Sequence, residues 1–325
     1  MDATKQLRES AKEILAREDV ACLIGYEQGS YGFRVQPCIL TDPGQTDRLI
    51  ISPLCVHNLT NYLTLEQIGP LTKDAIGERK IAIVVKGCDS RAITVLNAEN
   101  GFSRDRLVII GVSSPGVVDI SKIEARFPNT VSPAEVTVKE SNFVISCEGE
   151  TRNIPQNELL ASKCQRCKNA MPIIYDVLIG EEQPAKEDVF EDVIAAEAQS
   201  IEEKAAKWQE EFSSCIRCYA CRNACPLCYC SDCMLDRLRP QFIRRSVTAV
   251  DNSLFHITRA FHLAGRCIEC GECERVCPQS IPLMDLNRKL AKDVKELFDY
   301  EAGIDPEAKP LFGTFKTEDS DEGIL

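Results

Sequence analysis

Eighteen of the 325 residues are cysteines, and eight of these fall into two runs of one spacing. Cys215, Cys218, Cys221 and Cys225 are followed at once by Pro226, and Cys267, Cys270, Cys273 and Cys277 by Pro278. Three thiolates separated by two residues each can wrap one face of an iron–sulfur cubane. The longer step and the proline then turn the chain away toward a second cubane. Zinc is the alternative, but its structural sites draw on two separated pairs more often than on a triplet plus a fourth cysteine before proline. The doubled run predicts two [4Fe–4S] clusters.

The doubled run resembles that of bacterial dicluster ferredoxins, in which the fourth cysteine of each run ligates the other cluster. That resemblance implies Cys215, Cys218, Cys221 and Cys277 for one cluster, and Cys267, Cys270, Cys273 and Cys225 for the other.

Cys55 and Cys88 each follow an expected strand, and Cys164 and Cys167 form a pair. These four thiolates from three loops are candidates for a third [4Fe–4S] cluster. Cys88 falls at the carboxyl end of a strand, just before a helix N-terminus. Open α/β sheets bind ligands there, and a helix end favours a thiolate. Cys228, Cys230 and Cys233 have metal-like spacing without a fourth local ligand. They read either as a further metal site or as buried thiols lining the clusters. Cys22, Cys38 and Cys147 lie within strand patterns and are assigned to the core. His57 is a candidate for lining the first-domain site, while His256 and His262 read as packing or surface residues. No serine-nucleophile, zinc-protease, P-loop or complete dinucleotide signature occurs, so no catalytic residue is assigned.

The elements that must position these groups follow from periodicity. Leu7, Ala11, Ile14 and Leu15 make residues 5–17 an amphipathic helix. Val20–Gly25, Tyr31–Leu40 and Leu49–Ile51 read as strands. A strand over Ile81–Val85, a loop Lys86–Ser90, a helix Arg91–Asn100 and a strand Leu107–Gly111 form a βαβ unit, hence a parallel pair. Val136–Val138 and Phe143–Ser146 read as a hairpin. Residues 246–265 and 284–297 read as helices, the former from Val247, Val250, Leu254, Ile257, Phe261 and Leu263. The expected fold is an α/β N-terminal domain with a small, partly parallel sheet (1–180), followed by an α-helical dicluster domain (213–300). An acidic helical linker (181–212) joins them, and a polar tail (301–325) follows.

Lys and Arg number 38 against 50 Asp and Glu, for a formal net charge of −12. Nucleic acid and anionic membrane are thereby excluded as expected partners. No apolar run approaches the ~20 residues of a membrane span, so membrane insertion is not expected. The start, Met1-Asp2-Ala3-Thr4-Lys5-Gln6, leads into a helix rather than a signal peptide. Clustered cysteines in such a chain point to metal rather than disulfides, and to a reducing, anaerobic cytoplasm.

The first part of the chain resembles the beta subunit of coenzyme F-420-reducing hydrogenase and its formate dehydrogenase relatives. Lys86-Gly87-Cys88-Asp89-Ser90-Arg91, the Cys164/Cys167 pair, Asp176 and Gly180 carry that resemblance. It implies FAD and one [4Fe–4S] cluster in the first domain, with Gly87, Asp89, Ser90 and Asn58 on the flavin loops. The second part is similar to the helical dicluster modules of heterodisulfide reductase and fumarate reductase-type subunits.

Two functions are expected from this. One is an electron-transfer subunit of a multi-subunit hydrogenase, formate dehydrogenase or heterodisulfide reductase-like complex. It would relay single electrons among partner subunits, with ferredoxin a candidate partner. The alternative is an FAD subunit exchanging hydride with a deazaflavin (coenzyme F-420) or NAD(P) and feeding the clusters. A zinc-bearing scaffold is a third, non-redox reading.

Overall fold

Two apolar hexapeptides, Lys80–Val85 and Leu107–Val112, set the architecture. Almost every side chain in them is buried, as parallel strands covered on both faces require. The computed structural model describes residues 2–64, 71–184 and 186–313. Residues 314–325 of the expected polar tail lie outside the described residues.

In chain order the N-terminal region contains α1 (Ala3–Leu15), β1 (Val20–Gln28), β2 (Val35–Leu40), α2 (Lys73–Ile76), β3 (Lys80–Val85), α3 (Gly87–Ala98), β4 (Leu107–Val112) and α4 (Ile120–Arg126). It continues with β5 (Glu135–Lys139), β6 (Asn142–Cys147), β7 (Glu150–Pro155), α5 (Gln156–Leu159), α6 (Ser162–Gln165) and β8 (Val177–Ile179). A five-stranded mixed sheet has the order β2-β1-β3-β4-β8. β2 is antiparallel to β1, with Leu23 opposite Leu40, and the other pairs are parallel. A separate antiparallel sheet has the order β5-β6-β7. α1 buries Leu7, Ala11, Ile14 and Leu15 in the core of the first sheet.

Four expectations change. Leu49–Ile51 is no strand: only an isolated bridge from Leu49 to Glu27 forms there. The Val136/Phe143 hairpin gains a third strand at Glu150–Pro155. The segment after Asp176, for which no strand was expected, joins the sheet edge as β8, with Ile110 opposite Val177. Asp176 seats it, because its carboxylate accepts from Ile109 N at 2.6 Å and from the Arg104 guanidinium at 2.6 Å. Finally, the helix after β3 begins at Gly87, so Cys88, Asp89 and Ser90 belong to its first turn. The Asp89 carboxylate accepts from Lys86 N at 2.8 Å and so closes the helix start early.

The remaining elements are helical: α7 (Glu191–Glu197), α8 (Ile201–Ser213), α9 (Ala220–Asn223), α10 (Ala249–His262), α11 (Glu272–Arg275) and α12 (Leu283–Phe298). α8 starts with a capping box between Ser200 and Glu203, which satisfies two amides at the helix end. Trp208, Phe212 and His256 stack in series at 5.1 and 5.0 Å between ring centres, fixing α8 against α10. No helix among the described residues is long and apolar enough to cross a membrane.

Candidate iron–sulfur centres

The two cysteine runs fold alike. Arg217 and Glu269, each two residues after the first cysteine of its run, have positive φ of 54° and 56°. Tyr219 and Gly271, each just after the second cysteine, have φ of 61° and 65°. Left-handed residues in such loops turn successive amides inward, a concavity suited to anionic clusters. Arg217 N donates toward Cys215 Sγ at 3.5 Å. The third cysteine of each run, Cys221 or Cys273, lies in a one-turn helix, α9 or α11.

One small void is lined by Cys215, Cys218, Cys221 and Cys277. A second is lined by Cys267, Cys270, Cys273 and Cys225. These are the two sets that the crossed pattern names, each with one thiol from the other run. Among the described residues, no three His, Cys, Asp or Glu side chains converge closely enough to hold a single metal ion.

Several donors face these sulfurs. His256 Nε2 lies 3.2 Å from Cys215 Sγ, and Asn287 Nδ2 donates toward Cys273 Sγ at 3.6 Å. His256 is therefore no surface residue: it is buried against a cysteine. Burial, helped by Arg259 and Arg217, lowers its pKa to about 4, so it meets the thiol as neutral imidazole at pH 7. His262 is exposed. Arg259 is buried and donates to Cys221 O at 3.1 Å. Such bonds and burial tune cluster potentials. Only the periodicity around residues 246–265 bore on His256 and Arg259 in the sequence, and it does not reveal the sulfurs they face.

The three cysteines after the first run do not come together. Cys228 packs with Cys225 and Cys267, Cys233 packs on the side of Cys215 and Cys221, and Cys230 is exposed. The Cys228 thiol donates to Cys225 and so favours the Cys225 thiolate. Cys22, Cys38 and Cys147 are buried in the first core, and burial pushes Cys22 up to about 11 and Cys38 up to about 12.

A larger cavity of about 340 Å³ opens at the carboxyl rim of the parallel strands. Cys88, Cys164, Cys167 and, from the second cysteine run, Cys270 all line it. Cys55 does not: its buried sulfur accepts from Ser52 N at 3.4 Å within its own loop. Val117 N donates to Cys164 Sγ at 3.4 Å, and burial pushes Cys88 up to about 12. Among the lining residues seven are Lys or Arg and three are Asp or Glu, in a chain of net charge −12.

The other loop residues are committed to structure. Asp89 caps α3, Ser90 Oγ bonds Gly87 O and Ile173 N at 2.8 Å each, and Asn58 Oδ1 accepts from Thr60 N at 3.0 Å. Gly87 lines the cavity. A Cβ on it would fall 1.9 Å from Asn169 O, so backbone contact alone demands glycine there. Lys86 is buried, 3.0 Å from the Asp89 carboxylate and 2.8 Å from His57 O, and its Nζ also donates to Tyr26 Oη. Burial opposes its charge, but Asp89 raises its pKa overall.

Buried charges tie the two regions together. Glu272, from α11, accepts from Lys163 Nζ at 3.1 Å and from Arg275 at 2.7 Å. Burial opposes its ionisation, yet Lys163 and Arg275 hold its pKa at about 2. Arg275 Nη2 also reaches His57 Nδ1 at 3.3 Å. His57 lines a second cleft, of about 440 Å³, rather than the Cys88 cavity. Burial and then Arg275 lower its pKa to about 4.

Residues 214–282 match the family model of the 4Fe-4S dicluster domain. The chain is 26% identical over 304 residues to the F420-dependent formate dehydrogenase subunit beta of Methanocaldococcus jannaschii, covering 75% of this chain and 79% of the relative. It is 24% identical over 308 residues to the F420-dependent formate dehydrogenase 1 subunit beta of Methanococcus maripaludis, covering 75% and 78%. A chain of the F420-reducing [NiFe] hydrogenase complex from Methanosarcina barkeri, solved as a xenon derivative, aligns with a TM-score of 0.40 at 11% identity, covering 51% of this chain and 62% of that one. The resemblance read from Lys86–Arg91 and Cys164/Cys167 is borne out. The chain is similar to F420-dependent formate dehydrogenase beta subunits, its residues 214–282 match the 4Fe-4S dicluster domain, and it is an iron–sulfur electron-transfer protein.

Proposed function

We propose that this chain is the iron–sulfur subunit of a formate dehydrogenase-type complex and relays single electrons through three centres. Cys215, Cys218, Cys221 and Cys277 would hold one [4Fe–4S] cluster, and Cys267, Cys270, Cys273 and Cys225 a second. Cys88, Cys164 and Cys167 would supply thiolates to a third, with Cys55, whose sulfur bonds within its own loop, standing apart from them. The observation that carries the reading is the cavity on which Cys88, Cys164 and Cys167 meet Cys270, because it joins the first region to the second cluster's ligands. Bound clusters of this kind accept and release one electron at a time. The protein's own residues fix their spacing, exclude water and aim His256, Asn287 and backbone amides at the sulfurs. The domain division that goes with this reading is 1–180, 181–212 and 213–300.

A second reading is favoured by the charge of the same cavity. Seven basic side chains line it against three acidic ones; six of the seven are paired with carboxylates in or behind the wall, and polar, partly basic walls of this kind suit a pyrophosphate. Lys186, which among the described residues has no ion pair, would face the phosphates of FAD, with Gly87 on the flavin loop. Bound flavin would convert hydride exchange with a deazaflavin or nicotinamide into single-electron steps.

Anaerobic purification with iron, sulfide and flavin counted tests both. The relay reading expects about twelve iron atoms per chain, reduction by dithionite and electron delivery to viologen dyes. Deazaflavin or nicotinamide turnover is expected only in preparations that retain FAD. Turnover by a verified flavin-free preparation would overturn it.

A further inference from the structure

The helix α10 buries on its inner face the polar Asn252, His256 and Arg259 together with Phe255 and Ala260. Its apolar stripe faces outward, with Val250, Leu254 and Phe261 exposed by 79%, 48% and 63%. Val247 and Ile257 extend the stripe and are also exposed. Hydrophobic side chains at this spacing ordinarily turn into the core, and a contiguous exposed apolar patch marks an interaction site.

The stripe is bordered by the segment 237–245, which has four arginines and no acidic residue, in a chain of net charge −12. Arg217 ties the two together, donating to Asp251 O and to Arg244 O at 2.9 Å each. Arg237 pairs with Asp232 and Arg245 with Asp236. Among the described residues, no ion pair holds Arg239 or Arg244, and both are exposed, as are the adjoining Leu238 and Phe242. Directly behind this face, on the inner side of α10, His256 touches Cys215 of the first run.

We propose that the outer face of α10, with Arg239 and Arg244 at its edge, is where an acidic electron-carrier protein of the ferredoxin class docks. Charge complementarity selects the occupant: a basic rim attracts an acidic carrier, whereas two copies of this same face set against each other would bring like charges together. The apolar stripe forms the dry centre of the contact. The docked, reduced carrier gives one electron to the cluster held by Cys215, Cys218, Cys221 and Cys277. The carrier is oxidised by one electron, that cluster is reduced by one, and no bond or proton moves. This rests on the relay reading above.

The test is anaerobic stopped-flow reduction of the full-length, cluster-loaded protein by a reduced, acidic, low-potential ferredoxin, with dithionite reduction in parallel. Two double variants are compared, Arg239→Glu with Arg244→Glu and Leu254→Asp with Ile257→Asp. Each should slow the second-order reaction with ferredoxin by about tenfold or more. The arginine pair should also flatten its salt dependence, and dithionite reduction should stay unchanged. Wild-type ferredoxin rates in both variants would overturn the proposal. So would a concentration-dependent dimer that Leu254→Asp dissolves, since the face would then belong to a second copy. If dithionite fails to reduce even the unaltered protein, the relay reading itself falls.

Discussion

The two cysteine-bearing regions solve one problem in different ways. In the dicluster region each of two voids is lined by three neighbouring thiols of one run and a fourth from the other, so both proposed ligand sets are written into local spacing. In the α/β region the thiols come from α3, α6 and the turn after it, and a sheet must bring them to one rim. The first arrangement closes tightly around its sulfurs. The second leaves a basic cavity large enough for an organic cofactor beside them. Local spacing thus suffices for the proposed ligand sets of the dicluster region, whereas the proposed third set depends on tertiary assembly.

The largest effects should come from breaking the crossed thiols. Cys225→Ser is expected to eliminate the cluster of Cys267, Cys270 and Cys273, and Cys277→Ser the cluster of Cys215, Cys218 and Cys221. Electron paramagnetic resonance of the two reduced variants reads this directly. Loss of the cluster of its own triplet in either variant would show the runs to be uncrossed. Cys88→Ser should remove about four iron atoms per chain while leaving both of those signals in place.

Next comes the joint between the regions. Glu272→Gln leaves Lys163 buried without its counter-charge, which typically costs about 3–5 kcal/mol. Denaturant unfolding should show that loss, whereas Arg152→Ala, which removes an exposed pair with Glu150, should cost less than about 1 kcal/mol. Equal costs would mean that the joint contributes no more than a surface pair.

The smallest effect concerns α7 against α12. Burial opposes ionisation of Asp192, but Arg288 and then Arg166 hold its pKa at about 2. Its folded pKa lies below the unfolded value, so its stabilisation is complete above about pH 4 and is lost as pH falls through about 2. Asp192→Asn should cost about 1–2 kcal/mol at pH 7, allowing for solvent screening at its partial exposure, and less at pH 3. Unfolding midpoints of the two proteins across that range check the sign.

How much could be read in advance follows the same contrast. The eight cysteines of the doubled run were legible because their spacing is itself the geometry. The β3–α3–β4 unit was legible from apolar runs punctuated by Gly87. The start of α3 was misplaced because an Asp89 cap reaching back to Lys86 is a tertiary-quality detail inside a turn-like sequence. β8 was missed because three residues carry no periodicity and its pairing depends on Asp176 reaching Ile109. The residues of α10 announced a helix but not its orientation. Periodicity shows that a helix has two faces, and here Asn252 and Arg259 turn inward with Phe255 to donate to the carbonyls of Cys215 and Cys221, while Val250, Leu254 and Ile257 stay exposed.

The central claim is that one chain carries three electron-transferring centres in two differently built regions. A redox titration of the anaerobically purified full-length protein, followed by electron paramagnetic resonance, tests it most directly. The account predicts three reducible [4Fe–4S] signals, broadened by mutual spin interaction as adjoining centres require. A protein holding zinc at the doubled run, or reducible centres in only one region, would contradict it.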